Sequence, residues 1–227
     1  MERNYQKFLF ESKAIQVLVL ALTVFIVPLK TTHSQTIEVG GFAGASYYLG
    51  DLNPQSHFAE SNLAMGFVLK YNFNPRWSMG LSLTTGNLKA DATNYNLGIP
   101  VIYAENLSSN INEFSLSAEL NFLPYGFGTR KTYSWTPYIF GGAAVFNSSQ
   151  LETLNLAAPF GVGIKIKPFK AVSMNMFWGA RKTFTDELDQ LSSIDYQGYN
   201  SDWYFIYGLN LTFAIQLQGS NNCRNIN

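Results

Sequence analysis

The sequence predicts an all-β fold, an eight-stranded antiparallel transmembrane β-barrel with both termini on the periplasmic side of the outer membrane. Three observations predict it. Large apolar side chains recur at every second position in eight separate segments, which is the period of a strand and not of a helix. Charged residues make up only 13% of the 227 residues while aromatic residues reach 15%, about half the usual charged fraction. The chain is thus too apolar for disorder, yet beyond its first 30 residues no stretch supplies the run of about 18 apolar residues that a helical span needs. Finally, Glu113 and Glu119 lie on the face of one segment opposite its apolar residues, an arrangement that suits a polar lumen with lipid outside.

The N-terminus reads as an export signal. Arg3, Lys7 and Lys13 precede a mostly apolar run from Ala14 to Leu29, and Thr32 and Ser34 occupy the small-residue positions a signal peptidase recognises. Cleavage is expected between Ser34 and Gln35, giving a signal peptide at 1–34, a barrel at 35–217 and a periplasmic tail at 218–227. The leader carries Arg3, Lys7, Lys13 and Lys30 against Glu2 and Glu11, out of fifteen basic and fifteen acidic residues in all. The mature chain is therefore close to neutral, about −2, which excludes the basic footprint of a nucleic-acid binder. Cys223 is the single cysteine, so no intramolecular disulfide holds the fold and no lipoprotein acylation site follows the leader.

The strands follow in order. A weak segment from Thr36 to Tyr48 sets Ile37, Val39, Ala43, Ala45 and Tyr47 on one face. Leu63, Met65, Phe67, Leu69 and Tyr71 form a clear second strand, and an Asn74-Pro75-Arg76 turn joins it to Trp77, Met79, Leu81 and Leu83. Phe114, Leu116, Ala118, Leu120 and Phe122 follow, and then a segment from Tyr138 to Phe146 with apolar residues or Gly on both faces. Phe160, Val162, Ile164 and Ile166 turn at Pro168-Phe169-Lys170 into Val172, Met174, Met176 and Trp178, and the odd-numbered residues from Trp203 to Leu217 close the set. A soluble sandwich or lipocalin-like barrel would share this period, but inverted it would line eight strands with Trp, Phe and Met and expose Gly, Ser and Asn.

An even strand count places the links at 73–76, 123–135 and 168–170 in the periplasm. Loops near 49–60, 87–110, 148–157 and 183–202 then face outward. Tyr47, Tyr71, Trp77, Phe122, Tyr138, Phe160, Trp178 and Trp203 would form the interfacial aromatic girdles. The outward loops are acidic and the periplasmic links carry Arg76, Arg130, Lys131 and Lys170, so the two rims differ in sign.

Chemistry is sparse. His57 is the only imidazole expected in the mature chain, so a Ser-His-Asp system or a His-rich metal site lacks partners. Asp186, Glu187 and Asp189 do not follow the spacing of a calcium loop. Gly40-Gly41 and Gly141-Gly142 sit within strand patterns and are not phosphate loops. Glu113 and Glu119 are expected to pair with Lys70, Lys165 or Arg181 inside a plugged barrel too narrow for a wide pore. The reading is of a non-enzymatic protein with outer-membrane lipid around it, no cofactor, no metal, no nucleic acid and no small-molecule substrate.

Five motifs in order carry a resemblance. They are the stretches Gly41 to Asn53, Asn74 to Trp77, Pro159 to Lys165, Ala180 to Asp189, and Asn200 to Tyr204. Together they make the chain resemble the PorG family, outer-membrane β-barrels of the type IX secretion system in Bacteroidota; the Asn-rich tail with Cys223 departs from that pattern. The resemblance implies a part of the secretion and gliding machinery that contacts the periplasmic ring of PorK- and PorN-like subunits. The 123–135 link is the candidate contact surface, because Tyr125, Phe127, Tyr133 and Trp135 beside Arg130 and Lys131 are residue types enriched at interface hot spots. The alternative is a general OmpA-like envelope or adhesion barrel with no secretion role.

Overall fold

A computed structural model describes residues 36–49, 57, 58, 60–90, 107–125, 133–149, 151–169, 171–184 and 203–216. The expected signal peptide with its Ser34 and Gln35 cleavage site and the tail at 218–227 lie outside these residues. Eight strands form, β1 (Thr36–Leu49), β2 (Asn62–Asn72), β3 (Trp77–Ala90), β4 (Leu107–Asn121), β5 (Trp135–Ser148), β6 (Leu151–Phe169), β7 (Val172–Thr183) and β8 (Trp203–Gln216). Each pairs antiparallel with its sequence neighbour and β8 pairs with β1, closing a barrel in the order β1 to β8. The eight-stranded antiparallel barrel expected from the sequence is therefore the fold.

Side-chain alternation sorts the two walls. The outer wall is apolar and bare: Phe67, Leu63, Met176, Leu83, Phe213 and Val162 are all more than half exposed. The inner wall buries Glu38, Lys70, Glu113, Glu119, Lys165 and Arg181. No aqueous protein would leave such an outer wall uncovered, whereas a bilayer solvates it.

Three expectations need correction. Tyr138 is not a girdle residue: it faces the lumen and is 2% exposed, because β5 is apolar on both faces and only pairing with β4 and β6 fixes which face is inside. The outward loop expected at 148–157 is a two-residue link, since β6 begins at Leu151 and is the longest strand at 19 residues. Trp135 is the first residue of β5 and not part of the link before it.

We call the end where β1 begins and β8 finishes the proximal end, and the other the distal end. Proximal links span 73–76, 122–134 and 170–171, and distal links span 50–61, 91–106, 149–150 and 184–202. Midway up the lumen, Phe42 and Phe140 each contact Phe177 and the three are accommodated by facing glycines. A Cβ on Gly179 would sit 2.6 Å from the Phe140 ring, and one on Gly208, whose φ is +156°, would sit 2.5 Å from the Ala43 carbonyl oxygen and 2.8 Å from the Phe42 ring.

Candidate functional site: a salt-bridged lumen and a closed proximal end

Two ionic layers cross the lumen, one on each side of the phenylalanine belt. In the proximal layer Glu119 of β4 accepts from Lys70 of β2 at 2.8 Å and from Lys165 of β6 at 2.6 Å. The Ser78 hydroxyl donates to the same carboxylate at 3.1 Å. Lys165 lies 4.5 Å from the Tyr138 ring centroid, and Lys70 lies 5.7 Å from it. Glu38 accepts from Thr212 and Asn72. In the distal layer Glu113 accepts from the Tyr204 hydroxyl at 2.6 Å and from Arg181 Nε at 3.3 Å. The expected pairing of Glu113 and Glu119 with Lys70, Lys165 and Arg181 is realised in full.

Outside the distal layer, Tyr48, Leu88, Ile111, Phe146 and Ile206 are fully buried and cap the lumen. Between the layers lies a cavity of about 50 Å³, lined on one side by Ser82, Thr84, Ser115 and Ser117 and on the other by Phe42, Phe140 and Phe177. That is room for a few waters, and not for a translocating chain or a drug-sized ligand. Among the described residues no group of three or more His, Cys, Asp and Glu could hold a metal ion. His57 contacts aromatic rings and the Tyr47 hydroxyl, with no described carboxylate or serine partner.

The proximal end is closed by a built surface. Asn74 Oδ1 accepts from the backbone N–H groups of Arg76 and Trp77, fixing the β2–β3 turn. The following link is tied to that turn: Asn121 and Tyr125 N–H groups donate to the Arg76 and Pro75 carbonyls, and Arg76 Nη1 donates to the Phe122 carbonyl. Tyr133 pairs with Tyr125 in an isolated bridge. Tyr125 is buried, its ring 4.2 Å from Lys167 Nζ and its hydroxyl donating to the Ile166 carbonyl at 3.3 Å. Burial pushes that hydroxyl's pKa well above the ordinary tyrosine value.

The predicted contact residues therefore separate. Tyr125 is a strut beneath the barrel, Tyr133 and Trp135 are about half exposed, and Phe127, Arg130 and Lys131 lie outside the described residues. Sequence reasoning did not find Tyr138 and the phenylalanine belt, whose signal is the pairing of inward aromatics with inward glycines on neighbouring strands, visible only once register is known.

An even-stranded antiparallel barrel, bare and apolar outside, polar and plugged inside, is an outer-membrane β-barrel. Within that class the chain belongs to the DUF6089 family, a domain of unknown function whose profile matches residues 16–225. No curated protein matches the sequence. Among solved structures it is similar to the N-terminal barrel domain of Pseudomonas aeruginosa OprF (15% identity, 79% of this chain and 97% of that one, TM-score 0.46). It is also similar to OprG of the same organism (12%, 79% and 96%, TM-score 0.47) and to Ail of Yersinia pestis in complex with sucrose octasulfate (11%, 81% and 100%, TM-score 0.45). These likenesses are of fold alone.

Proposed function

We propose that this protein is a non-enzymatic outer-membrane component of the type IX secretion and gliding machinery, anchoring or contacting the periplasmic ring through its proximal end. In this reading both termini and the proximal links are periplasmic, and the partners are the PorK- and PorN-like ring subunits. The five ordered motifs by which the sequence resembles PorG barrels support it. The observation that carries the mechanism is the described part of the 122–134 link, hydrogen-bonded to the β2–β3 turn and pinned by Tyr125, with Tyr133 on the link and Trp135 at the start of β5 both about half exposed. A contact made by residues already held in place loses less conformational entropy on binding than one made by a floppy loop. The two ionic layers and the apolar cap argue against the lumen as a conduit.

Deletion in the native host, followed by assay of type IX cargo in the medium and of ring subunits in the outer-membrane fraction, tests the role. Loss of both, restored by the wild-type gene, is the expected outcome; normal secretion with no second gene copy would favour the OmpA-like envelope or adhesion reading. Within the secretion reading, replacing Arg130 and Lys131 with Glu is expected to reduce co-purification of ring subunits. Unchanged co-purification would remove those two residues from the contact.

A further inference from the structure

One sector of the outer wall departs from the rest. Register places outward-facing residues of β6, β7, β8 and β1 on three successive rungs near the distal end. The outermost holds Lys182, Trp203 and Leu49; the next holds Phe160, Ala180, Phe205 and Tyr47; the third holds Trp178 and Tyr207. Elsewhere outward aromatics such as Phe67, Trp77 and Phe213 are about half exposed or more, but here Tyr47 is 0% and Phe205 5% exposed. Tyr47 stacks on Phe205 with centroids 4.8 Å apart, and Trp178 also stacks on Phe205, at 5.3 Å. Two residues between β1 and β2, His57 and Phe58, lie against this wall. His57 meets Phe205 edge-on at 5.5 Å and Phe58 approaches Tyr47 at 5.3 Å. Phe58 and Glu60 take left-handed φ values of 64° and 51° there, a conformation that bulky residues adopt only where the surroundings impose it.

Polar atoms are built into this aromatic shelf. Trp178 Nε1 donates to the Tyr47 hydroxyl at 3.1 Å, and that hydroxyl lies 3.2 Å from His57 Nδ1. Lys182 places its ammonium 5.8 Å from the Trp203 centroid. Lys182 thus lies against Trp203 and His57 against Phe205, two residues apart on one face of β8, roughly 7 Å along the strand. A phosphate accepts charge-assisted hydrogen bonds from an ammonium and from an imidazole N–H, and register puts the rings that these two donors lie against on adjacent rungs. An ammonium on a lipid-facing wall is costly at the bilayer midplane and readily tolerated at headgroup depth, where anionic lipid groups lie.

We propose that this sector binds the phosphorylated headgroup of a membrane glycolipid, with Lys182 and His57 flanking the phosphate and Trp203 and Phe160 supporting the adjoining sugar and first acyl carbons. The occupant is lipid because the shelf is continuous with the bilayer-facing wall. The inference needs that wall and a distal end at the outer leaflet, and not the secretion role, so the secretion role and the lipid site can each fail alone.

The test is native mass spectrometry of the full mature barrel purified in detergent and incubated with lipid A. The wild type is expected to retain one lipid A molecule, and Lys182→Glu and His57→Ala each to weaken retention at least tenfold, while Lys182→Arg retains it. Lys89→Glu, outward-facing on β3 and away from this sector, serves as a control and should leave retention unchanged. Heat-dependent gel mobility reports that each variant is folded. Equal retention by wild type and Lys182→Glu, or equal loss with Lys89→Glu, would overturn the site. Full displacement of lipid A by excess inorganic phosphate would overturn the lipid assignment in favour of a free anion.

Discussion

The two ionic layers of the lumen use the same strand and the same chemistry, yet they are not equally complete. Glu119 in the proximal layer has two ammonium partners and a serine hydroxyl. Glu113 in the distal layer shares one oxygen between Tyr204 and Arg181, and its other oxygen has no hydrogen-bond partner among the described residues. Arg181 in turn divides its donors between Glu113 and the carbonyls of Gly179 and Ile206. The difference teaches where the barrel depends on charge. Removing the proximal carboxylate strands two buried cations, whereas removing the distal one leaves an arginine that keeps two carbonyl acceptors.

Three substitutions sharpen that contrast. Glu119→Ala carries the largest expected effect, about 3–5 kcal/mol of lost stability in urea titrations of the detergent-folded barrel, because a broken buried pair leaves uncompensated charge. Glu113→Ala should cost less, about 1.5–3 kcal/mol, the range for a lost charge-assisted hydrogen bond. If the two losses prove equal, the asymmetry between the layers has no energetic meaning. Gly208→Ala, between the layers at the β1–β8 seam, is the smallest, about 1–3 kcal/mol of overpacking against the Ala43 carbonyl and the Phe42 ring. A stability indistinguishable from wild type would show that the seam relaxes around a methyl group.

Much of this was legible in the sequence. Strand β2 is bounded by Asn62 and Asn72 as the alternation predicts, since its outward residues are large and its inward ones small or polar. The ion pairs were legible because a carboxylate opposite an apolar face has only a lumen to enter. What escaped was anything that alternation does not encode. The distal parts of β3 and β4 rise past the apolar band, where Asn87, Lys89, Asn110 and Asn112 face outward and the apolar signal ends before the hydrogen bonding does. Tyr138 was misplaced because Gly141, Gly142 and the alanines of β5 give neither face a distinguishing pattern. In the proximal link, residue type marked Tyr125 as a contact, but burial beneath the barrel is a tertiary property that local sequence does not carry.

The ion pairs also bear on how the barrel forms. Both salt-bridged carboxylates of the ionic layers belong to β4, while their cations come from β2, β6 and β7, none of which is hydrogen-bonded to β4. No hairpin can therefore neutralise its own charges, and a half-assembled sheet entering the bilayer would offer bare ions to hydrocarbon. Insertion and closure are bound together by that arrangement: the sheet gains its electrostatic partners only as the ring curls shut, which disfavours open intermediates and makes assembly cooperative.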